Sequence, residues 1–527
     1  MKRLIGSIAL AMAASVAAAA PVTYKNPVVP GFHADPSVCR VGKDYYLATS
    51  SFEYFPGVPI FHSRDLVHWR QIGHALMRES QLPLKGQRAS RGIFAPTLRC
   101  HEGSFYLITT NIENGGNFYV HTKDPAGEWS EPVWLKESVF GMDPSLLFDD
   151  DGKVYYTRHG GGERGGVYQA ELDMKTGKLL GEARLVWPGT GGVWPEGPHL
   201  YKHNGMYYLM ISEGGTSYEH SITVARSRSP WGPFEAYAGN PILTHRKHPD
   251  LPLQATGHGD LVQAGNGSWW MVLLGIRPHE RQHHIGRETL LAPVSWNAQG
   301  WPVVNDNKPL GTTMTVDGLP PQAPWPAEPV RTEFDSGKLA LYWTHLRDGA
   351  AGKWTLSERK GYLRLKGTAE TLEDIASPAF VARRQQHLNM RAATQLEFTP
   401  AGEQQAAGLV LRQNEENHYA LRVTGVAQRR IELIQRVKGK TSIAATAPLP
   451  AGPVRLQVEA FPDRYAFSYA AGDGAMKAIG TLPTRALSSE SAGGFTGVFV
   501  GMYAAGENNM APADFAWFDY EAPGDKD

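Results

Sequence analysis

The feature that most limits the fold is one short pattern that occurs five times before residue 320. In each copy a tight turn precedes two adjacent aromatic residues, and a second short strand comes before the turn. The copies lie roughly 50 to 60 residues apart. They are Gly42–Leu47, Glu102–Leu107, Gly152–Tyr156, Asn204–Leu209 and Asn266–Met271. Such spacing indicates a tandem array of small, strand-rich units.

Each unit has the length and strand content of one four-stranded blade of a β-propeller. Helical periodicity is scarce between the copies, and the 57 glycines and 37 prolines among 527 residues are typical of many tight turns. We therefore expect an all-β fold, with a five-bladed β-propeller over residues 21–319. A plain β-sandwich with chance spacing is the alternative.

A proline-rich segment, residues 320–330, follows the last copy and predicts a domain boundary. Proline at this density stiffens a chain and cannot continue a sheet. Beyond it, alternation with period two in segments such as Tyr362–Leu365 and Val454–Val458 indicates half-buried strands. We expect a two-sheet β-sandwich over residues 331–524.

The charge balance argues against polyanionic partners. The sequence has 52 Lys and Arg residues against 52 Asp and Glu residues, so no overall field attracts nucleic acid or anionic lipid. We expect no nucleic-acid partner and, after removal of the leader described next, no membrane partner.

Residues 1–20 have the layout of a secretory signal peptide, with a basic start, an apolar run and small residues at its end. The apolar run is shorter than the roughly 20 residues of a membrane-spanning helix; a retained anchor is the alternative. We therefore expect a secreted or periplasmic protein. Export would expose Cys39 and Cys100 to oxidising surroundings, but the sequence favours two buried free thiols over a bond between them.

Three acidic residues, Asp35, Asp143 and Glu196, stand just ahead of the strand that opens a unit. In a propeller these strands line the central axis, so residues from distant units converge. Crowded carboxylates in a cleft of low dielectric constant repel one another, which raises the pKa of at least one of them. Glycoside hydrolysis needs such a protonated acid beside an ionised base. The second and fifth units place Phe94 and His258 at matching positions, adding an aromatic wall and an imidazole.

Other interpretations of these residues stay open. A single Asp-Pro pair more often caps a turn, and clustered carboxylates beside His258 also fit a Ca²⁺ or water site. His279–His283 matches the His-Glu-x-x-His zinc pattern, but Pro278 and Gly286 enclose a polar stretch without an apolar face, which favours a solvated loop. An aromatic-lined propeller could also bind sugars without catalysis.

Seven segments carry a more specific signal: Asn26–Ser37, Ser51–Val58, Gly141–Ser145, Pro195–His199, Ser212–Thr216, Gly257–Gly259 and Gly286–Thr289. They resemble glycoside hydrolase family 43, in particular its β-xylosidase and α-L-arabinofuranosidase members that carry a C-terminal sandwich. The resemblance covers nearly the whole chain. It implies a five-bladed propeller followed by a concanavalin A-like β-sandwich.

The resemblance implies a role for each of the three carboxyl groups. Asp35 would be the general base and Glu196 the general acid, while Asp143 would raise the pKa of that acid and orient it. Inversion of the anomeric centre in a single displacement is implied.

The resemblance also implies how the sugar is held. Phe52 would stack on it, Arg287 would hydrogen-bond its hydroxyls, and His258 would lie beneath the pocket, where relatives hold water or Ca²⁺. A sandwich loop would close the pocket through Phe495. Relatives often have Trp where this chain has Phe94, so the sugar platform is expected to be smaller.

The function implied is release of terminal xylose or arabinofuranose from xylo-oligosaccharides or arabinoxylan-derived oligosaccharides. No organic cofactor is needed, and Ca²⁺ near His258 is the metal that the resemblance allows. The sequence does not choose between the two pentoses. The alternatives are a non-catalytic carbohydrate-binding propeller and a retaining, fructosidase-like hydrolase.

Overall fold

The computed structural model describes residues 20–136 and 141–522. The predicted signal peptide, residues 1–20, therefore lies outside the described residues except for Ala20. Within these ranges the chain is almost entirely strands, turns and loops, and none of its helices is long and apolar enough to cross a membrane. The helices of the described ranges are three 3₁₀ turns, Gly162–Arg164, Asn305–Asn307 and Thr484–Leu487, and one α-helical turn, Ser489–Ala492.

After β1 (Val22–Lys25), residues 37–304 form five antiparallel sheets in the described part of the chain, each from strands that are close in sequence. The first contains β2 (Ser37–Val41), β3 (Asp44–Ala48), β5 (Gly57–Ser63) and β6 (Arg70–Leu76), and β4 (Tyr54–Phe55) lies in the connection between β3 and β5. The second contains β7 (Thr97–His101), β8 (Ser104–Asn111), β9 (Gly116–Thr122) and β10 (Val133–Trp134). The third contains β11 (Gly141–Phe148), β12 (Val154–Gly160), β13 (Gly166–Asp173), β14 (Lys178–Leu179) and β15 (Arg184–Trp187). The fourth contains β16 (Glu196–His203), β17 (Met206–Glu213), β18 (Ser221–Ser227), β19 (Glu235–Ala236) and β20 (Leu243–Thr244). The fifth contains β21 (Gln254–Gln263), β22 (Trp269–Ile276), β23 (Glu288–Trp296) and β24 (Pro302–Val304).

The first strands of these sheets contact one another in sequence order, and the first strand of the fifth sheet contacts that of the first. Outside the sheets, β1 pairs with β25 (Thr313–Val316), so the beginning and the end of this half of the chain meet. The arrangement confirms a propeller architecture for the first half of the chain.

The repeated aromatic pair forms the packing between sheets. In the first unit Tyr45 and Leu47 are buried in the apolar core, whereas Tyr46 between them is only half-buried. This is the alternation that a strand imposes, since successive side chains point to opposite faces.

Cys39 on β2 and Cys100 on β7 form a disulfide, with 5.8 Å between their Cα atoms. The prediction of two free thiols is therefore wrong. The two strands begin neighbouring sheets and contact each other, so residues separated by 61 positions face one another. Sequence spacing alone could not reveal that proximity.

The second half of the chain is a two-sheet sandwich, as predicted. One sheet contains β26 (Arg331–Glu333), β28 (Trp354–Thr355), β29 (Leu363–Leu365), β31 (Met390–Glu397), β36 (Val454–Ala460), β37 (Arg464–Ala471), β38 (Lys477–Pro483) and β40 (Ala513–Glu521). The other contains β30 (Ala379–Arg384), β32 (Ala406–Arg412), β33 (His418–Thr424), β34 (Arg430–Val437), β35 (Lys440–Pro448) and β39 (Phe499–Ala505). Buried side chains from both sheets, including Leu363, Leu409 and Leu456, form one continuous core.

The two halves are joined by backbone pairing as well as by the proline-rich segment. The short strand β27 (His345–Leu346) of the second half pairs antiparallel with β4 of the first. Within residues 320–330, the backbone N–H of Ala323 donates to Asp65 Oδ2 at 2.7 Å, and the Trp325 indole N–H donates to the carbonyl of His62 at 3.1 Å. Ala323 and Trp325 thus hold this segment against β5 and the turn that follows it.

Candidate active site

One cavity of about 630 Å³ contains all of the side chains that the sequence singled out for the site. It opens at the end of the propeller where the first strands begin, and the sandwich contributes one wall through a single loop. The predicted residues that line it are Asp35, Phe52, Phe94, Asp143, Glu196, His258, Arg287 and Phe495.

Unusual backbone geometry places the polar residues at this opening. Asp35, Asp143 and His258 have positive φ angles of 55°, 53° and 46°, a region that residues other than glycine rarely adopt. The strand register is also interrupted beside Asp143, Glu196 and His258, and such bulges redirect side chains at the ends of strands. Strained backbone that clusters in this way is typical of a functional site.

Asp35 is held by a cation and a hydroxyl. Arg287 Nη1 donates to Asp35 Oδ1 at 2.9 Å, and Ser50 Oγ donates to Oδ2 at 2.8 Å. Burial alone would raise the pKa of this carboxyl, but the charge of Arg287, followed by His258 and the Ser50 hydrogen bond, lowers the pKa below its usual value. Asp35 is therefore ionised at neutral pH.

Glu196 lies in the opposite electrostatic situation. Burial, and then the negative charges of Asp143 and Asp35, raise the pKa of Glu196 well above its usual value, although Arg287 opposes them. Its closest basic neighbour among the described ion pairs is His220, 4.0 Å from Oε1, and burial lowers the pKa of that imidazole to about 3. His220 is thus neutral and does not offset the effect, so Glu196 can keep its proton.

Asp143 contacts the backbone of the residue next to Glu196. Its Oδ2 accepts a hydrogen bond of 3.1 Å from the N–H of Gly197, the residue that follows Glu196. Burial raises the pKa of Asp143 and the charge of Asp35 adds to that, while His258 acts against both. Gly197 has a φ of 58° and a Cβ there would lie 2.9 Å from the His258 ring, so only glycine fits.

Three phenylalanines form the apolar wall of the cavity. The ring of Phe52 lies 5.1 Å from that of Phe94 and 5.9 Å from that of Phe495. Phe52 is buried, whereas Phe495, which comes from the sandwich, is 37% exposed at the opening. The Arg287 guanidinium lies between Phe52 and Phe495, 5.7 and 5.6 Å from their ring centres.

The cavity also contains residues to which the sequence analysis gave no role. Trp194, Thr216, Arg91 and His159 line it, and Thr216 Oγ1 accepts a hydrogen bond of 3.0 Å from Arg287. Trp194 lies two residues before Glu196, and Thr216 is the last residue of the segment Ser212–Thr216. Their positions in or beside these motifs could have marked them as residues of the cavity. His159 belongs to the second strand of its sheet, where no motif marks it.

The zinc-like sequence His279–His283 is a turn that contacts the sandwich. His279 and Gln282 form a β-bridge, Glu280 and Arg281 have positive φ angles, and His283 Nδ1 bonds Glu490 at 2.7 Å. The segment is therefore the loop that the sequence favours over a zinc-protease helix, with Glu280 and Arg281 exposed and His283 in contact with the sandwich.

The described residues around the cavity offer few ligands for a resident metal ion. Across residues 20–136 and 141–522, no group of three or more His, Cys, Asp or Glu side chains is arranged to hold one. His258 lies 3.8 Å from Asp35, whose oxygens already bind Arg287 and Ser50, whereas Ca²⁺ prefers six to eight oxygen ligands. The described side chains near His258 therefore do not fit a calcium site built from protein ligands.

Comparison with known proteins agrees with this geometry. Residues 24–302 match the family model "Glycosyl hydrolases family 43", and residues 331–521 match "Beta xylosidase C-terminal Concanavalin A-like domain". The chain is 46% identical over 507 residues to the non-reducing end α-L-arabinofuranosidase BoGH43B of Bacteroides ovatus, covering 94% of each chain. It is 41% identical over 520 residues to a xylosidase/arabinosidase of Butyrivibrio fibrisolvens, covering 95% of this chain and 99% of that protein.

Two solved structures share the whole architecture. The Bacteroides ovatus xyloglucan PUL GH43B structure superposes with a TM-score of 0.91 at 46% identity, covering 95% of this chain and 100% of that one. The xylan β-1,4-xylosidase of Bacillus halodurans C-125 superposes with a TM-score of 0.90 at 38% identity, with the same coverage. The chain therefore belongs to glycosyl hydrolase family 43 and carries the concanavalin A-like C-terminal domain of the β-xylosidases.

Proposed function

We propose that this protein is an exo-acting, inverting glycoside hydrolase that releases terminal xylose or arabinofuranose from xylo-oligosaccharides and arabinoxylan-derived oligosaccharides. The observation that carries the proposal is the pair of opposite pKa shifts in one cavity, downward for Asp35 and upward for Glu196. A base and an acid with separated pKa values are what this hydrolysis needs. The activities named for the relatives supply the substrate class.

The proposed reaction proceeds in one displacement. Glu196 gives its proton to the glycosidic oxygen while the bond from that oxygen to the anomeric carbon breaks. Asp35 takes a proton from a water molecule whose oxygen attacks the same carbon from the other face. The products are an alcohol and a sugar of inverted configuration, and the charge that develops on the ring makes the transition state oxocarbenium-like.

Asp143 prepares the acid rather than reacting. Its charge helps to raise the pKa of Glu196, and its hydrogen bond to the N–H of Gly197 fixes the backbone from which Glu196 extends. An acid held in both protonation state and direction transfers its proton without further rearrangement.

The walls of the cavity suit a single terminal sugar. Phe52 offers a buried ring for stacking on the sugar face, and Arg287, already fixed on Asp35, has further N–H groups for hydroxyls. Phe94 lines the cavity, where the family resemblance implies that it leaves more room than the Trp that relatives often have, and Phe495 lies at the opening on the sandwich side. A pocket with one covered end favours attack on chain termini.

We also propose that the five sheets are five blades of one closed propeller. The buried carboxylate of Asp260 in the fifth sheet supports this, because it accepts hydrogen bonds from Ser37 at 2.6 Å, Arg99 at 2.8 Å and Tyr201 at 2.6 Å. These partners come from the first, second and fourth sheets, so one residue joins them at the centre.

The proposal includes export to the periplasm or the medium. The leader-like residues 1–20 and the Cys39–Cys100 disulfide support it, since disulfides persist in oxidising compartments. Cell fractionation with an antibody to the protein checks this, and recovery of the full-length, uncleaved chain in the cytosol would contradict it.

No organic cofactor takes part in the proposed reaction, which consumes only water. Calcium beside His258 stays a prediction of the family resemblance, and water would have to supply most of its ligands. Dialysis against a chelator, followed by assay with and without added Ca²⁺, tests it; unchanged activity is expected, and loss that Ca²⁺ restores would place the ion in the mechanism.

The function itself is tested with nitrophenyl xyloside and nitrophenyl arabinofuranoside, together with an unsubstituted disaccharide. We expect turnover of at least one pentoside by the wild type, and proton NMR of the first product should show the inverted anomer. Retention of configuration, or no turnover of any pentoside, would overturn the proposal. The ratio of the two rates then decides which pentose the cavity prefers.

A further inference from the structure

Phe495 reaches the cavity on a loop that the propeller holds by its backbone. The N–H of Phe495 donates to Ser90 Oγ at 2.8 Å, and its carbonyl accepts from Arg287 Nε at 3.3 Å. Phe495 is 37% exposed, and its ring centre lies 5.9 Å from that of Phe52 and 6.1 Å from that of Phe94. Its place in the cavity is therefore set by these two backbone contacts more than by packing of the ring.

The burial and backbone conformation of Ser90 favour its hydrogen bond to Phe495. It is 7% exposed and its φ of 59° lies in the left-handed region, which residues with a side chain seldom adopt. The residue that precedes Phe495 and faces Ser90 is Gly494, with a φ of 88°; a Cβ there would lie 2.5 Å from Ser90 Oγ. The two segments can approach closely enough for the hydrogen bond only because that residue is glycine.

Glu53, buried between the two halves of the molecule, fixes Ser90 in turn. Its Oε2 accepts from the N–H of Ser90 at 2.9 Å, and its Oε1 lies 3.5 Å from Arg412 of the sandwich, with both side chains fully buried. The backbone carbonyl of Glu53 accepts from the N–H of Arg347 at 2.8 Å. The support of Ser90 thus comes from both domains, next to the pairing of β4 with β27.

We propose that Ser90, which does not line the cavity, is a positioning residue for the reaction. Its hydroxyl fixes the backbone of Phe495, and thereby the ring that covers the sugar and the carbonyl that Arg287 binds. Because Arg287 also binds Asp35, an error in the loop is passed on to the general base. This inference rests on the proposed function, since it concerns the handling of a sugar at the same site.

A double-mutant cycle tests the inference, with kcat and KM measured on the better nitrophenyl pentoside. Ser90→Ala keeps the Cβ and removes only the hydroxyl, and we expect kcat/KM to fall about 3- to 10-fold. Phe495→Ala is expected to lower kcat/KM further. Phe495→Ala removes the ring but keeps the backbone N–H and carbonyl, so only the part of the Ser90→Ala loss that acts through the ring should disappear in that background. The loss of the double variant should therefore be smaller than the product of the two single losses.

The matched control is Ser491→Ala, which removes a hydroxyl of the same interface: Ser491 Oγ bonds Gln282 Oε1 at 3.1 Å, away from the cavity. It should leave kcat/KM unchanged, and the Tm of all variants is recorded to exclude unfolding. Losses that multiply in the double variant, or no loss in Ser90→Ala, would overturn the role of Ser90 while an active wild type upholds the proposed function. A wild type inactive on every pentoside would overturn both.

Discussion

The two sides of the cavity use the same functional group and give it opposite properties. Asp35 and Glu196 have side chains only 5% and 13% exposed, so burial favours the neutral form of both. On the Asp35 side burial is outweighed by the combined effect of the Arg287 guanidinium, His258 and the Ser50 hydroxyl, of which Arg287 contributes most to lowering the pKa. On the Glu196 side the neighbours are two carboxylates and a neutral imidazole, and burial prevails. Burial is common to both carboxyls, so the charged and hydrogen-bonding groups placed around each one distinguish the proposed base from the proposed acid.

The largest effects are expected from removing either carboxyl. Asp35→Asn should lower kcat about 10²- to 10⁴-fold for every substrate, because the base acts on water whatever the leaving group. Glu196→Gln should lower it comparably for a disaccharide but far less for a dinitrophenyl glycoside, whose leaving group needs no proton. Steady-state kinetics on both substrates measures the contrast; equal losses of Glu196→Gln on the two would break the assignment of acid and base.

Removing the Arg287 charge should bring the pKa of Asp35 closer to that of Glu196. Arg287→Gln deprives Asp35 of the charge that lowers its pKa, so the pKa rises and the base is protonated at pH values where it is now ionised. The acid limb of the kcat/KM profile should therefore move to higher pH, with a loss of about 10- to 100-fold at neutral pH. Arg287→Lys, which keeps a charge but not the fork, is the control and should shift the limb less.

Asp143→Asn sharpens the comparison from the other side. The amide oxygen can still accept from the N–H of Gly197, so the change removes mainly a negative charge. The pKa of Glu196 should fall, and the basic limb of the pH profile should move to lower pH while the acid limb stays. A loss of about tenfold in kcat is expected at a pH one unit into the shifted limb; an unchanged basic limb would show that the charge of Asp143 does not raise the pKa of Glu196.

The smallest effect concerns stability. A carboxyl whose pKa is raised in the folded state destabilises the fold as pH rises above its unfolded value of 4.5. Glu196→Gln removes that penalty, so its Tm should exceed that of the wild type at pH 7 by on the order of a few °C. The difference in Tm should vanish below pH 4, where Glu196 is protonated in both the folded and the unfolded protein. Calorimetry at the two pH values decides, and a lower Tm at pH 7 would contradict the charge state assigned to Glu196.

Much of the site followed from the sequence because the repeat supplied its geometry. Once Asp35, Asp143 and Glu196 were placed ahead of the first strands of three units, their convergence was a consequence of the propeller. The family resemblance added Phe52, Arg287 and Phe495. The convergence of the three carboxyls needed only local patterns and one assumption about symmetry, whereas the other three residues needed the resemblance.

What sequence reasoning missed depends on contacts between neighbouring units or domains. Cys39 and Cys100 pair because β2 and β7 are adjacent, and His283 binds Glu490, 207 positions away. The sequence predicted that some carboxyl would have a raised pKa, but the opposite shift of Asp35 requires knowing that Arg287 reaches it across 252 positions. No local pattern contains such information.

The loop around Phe495 also bears on how this architecture can be recombined. The second domain supplies one wall of the candidate site and the carbonyl that binds Arg287. We therefore expect the first domain alone to lack a complete site. Exchange of C-terminal halves between homologues should succeed only when the donor half brings a loop that fits the host's counterpart of Ser90. The two domains should therefore be exchanged or redesigned together rather than separately.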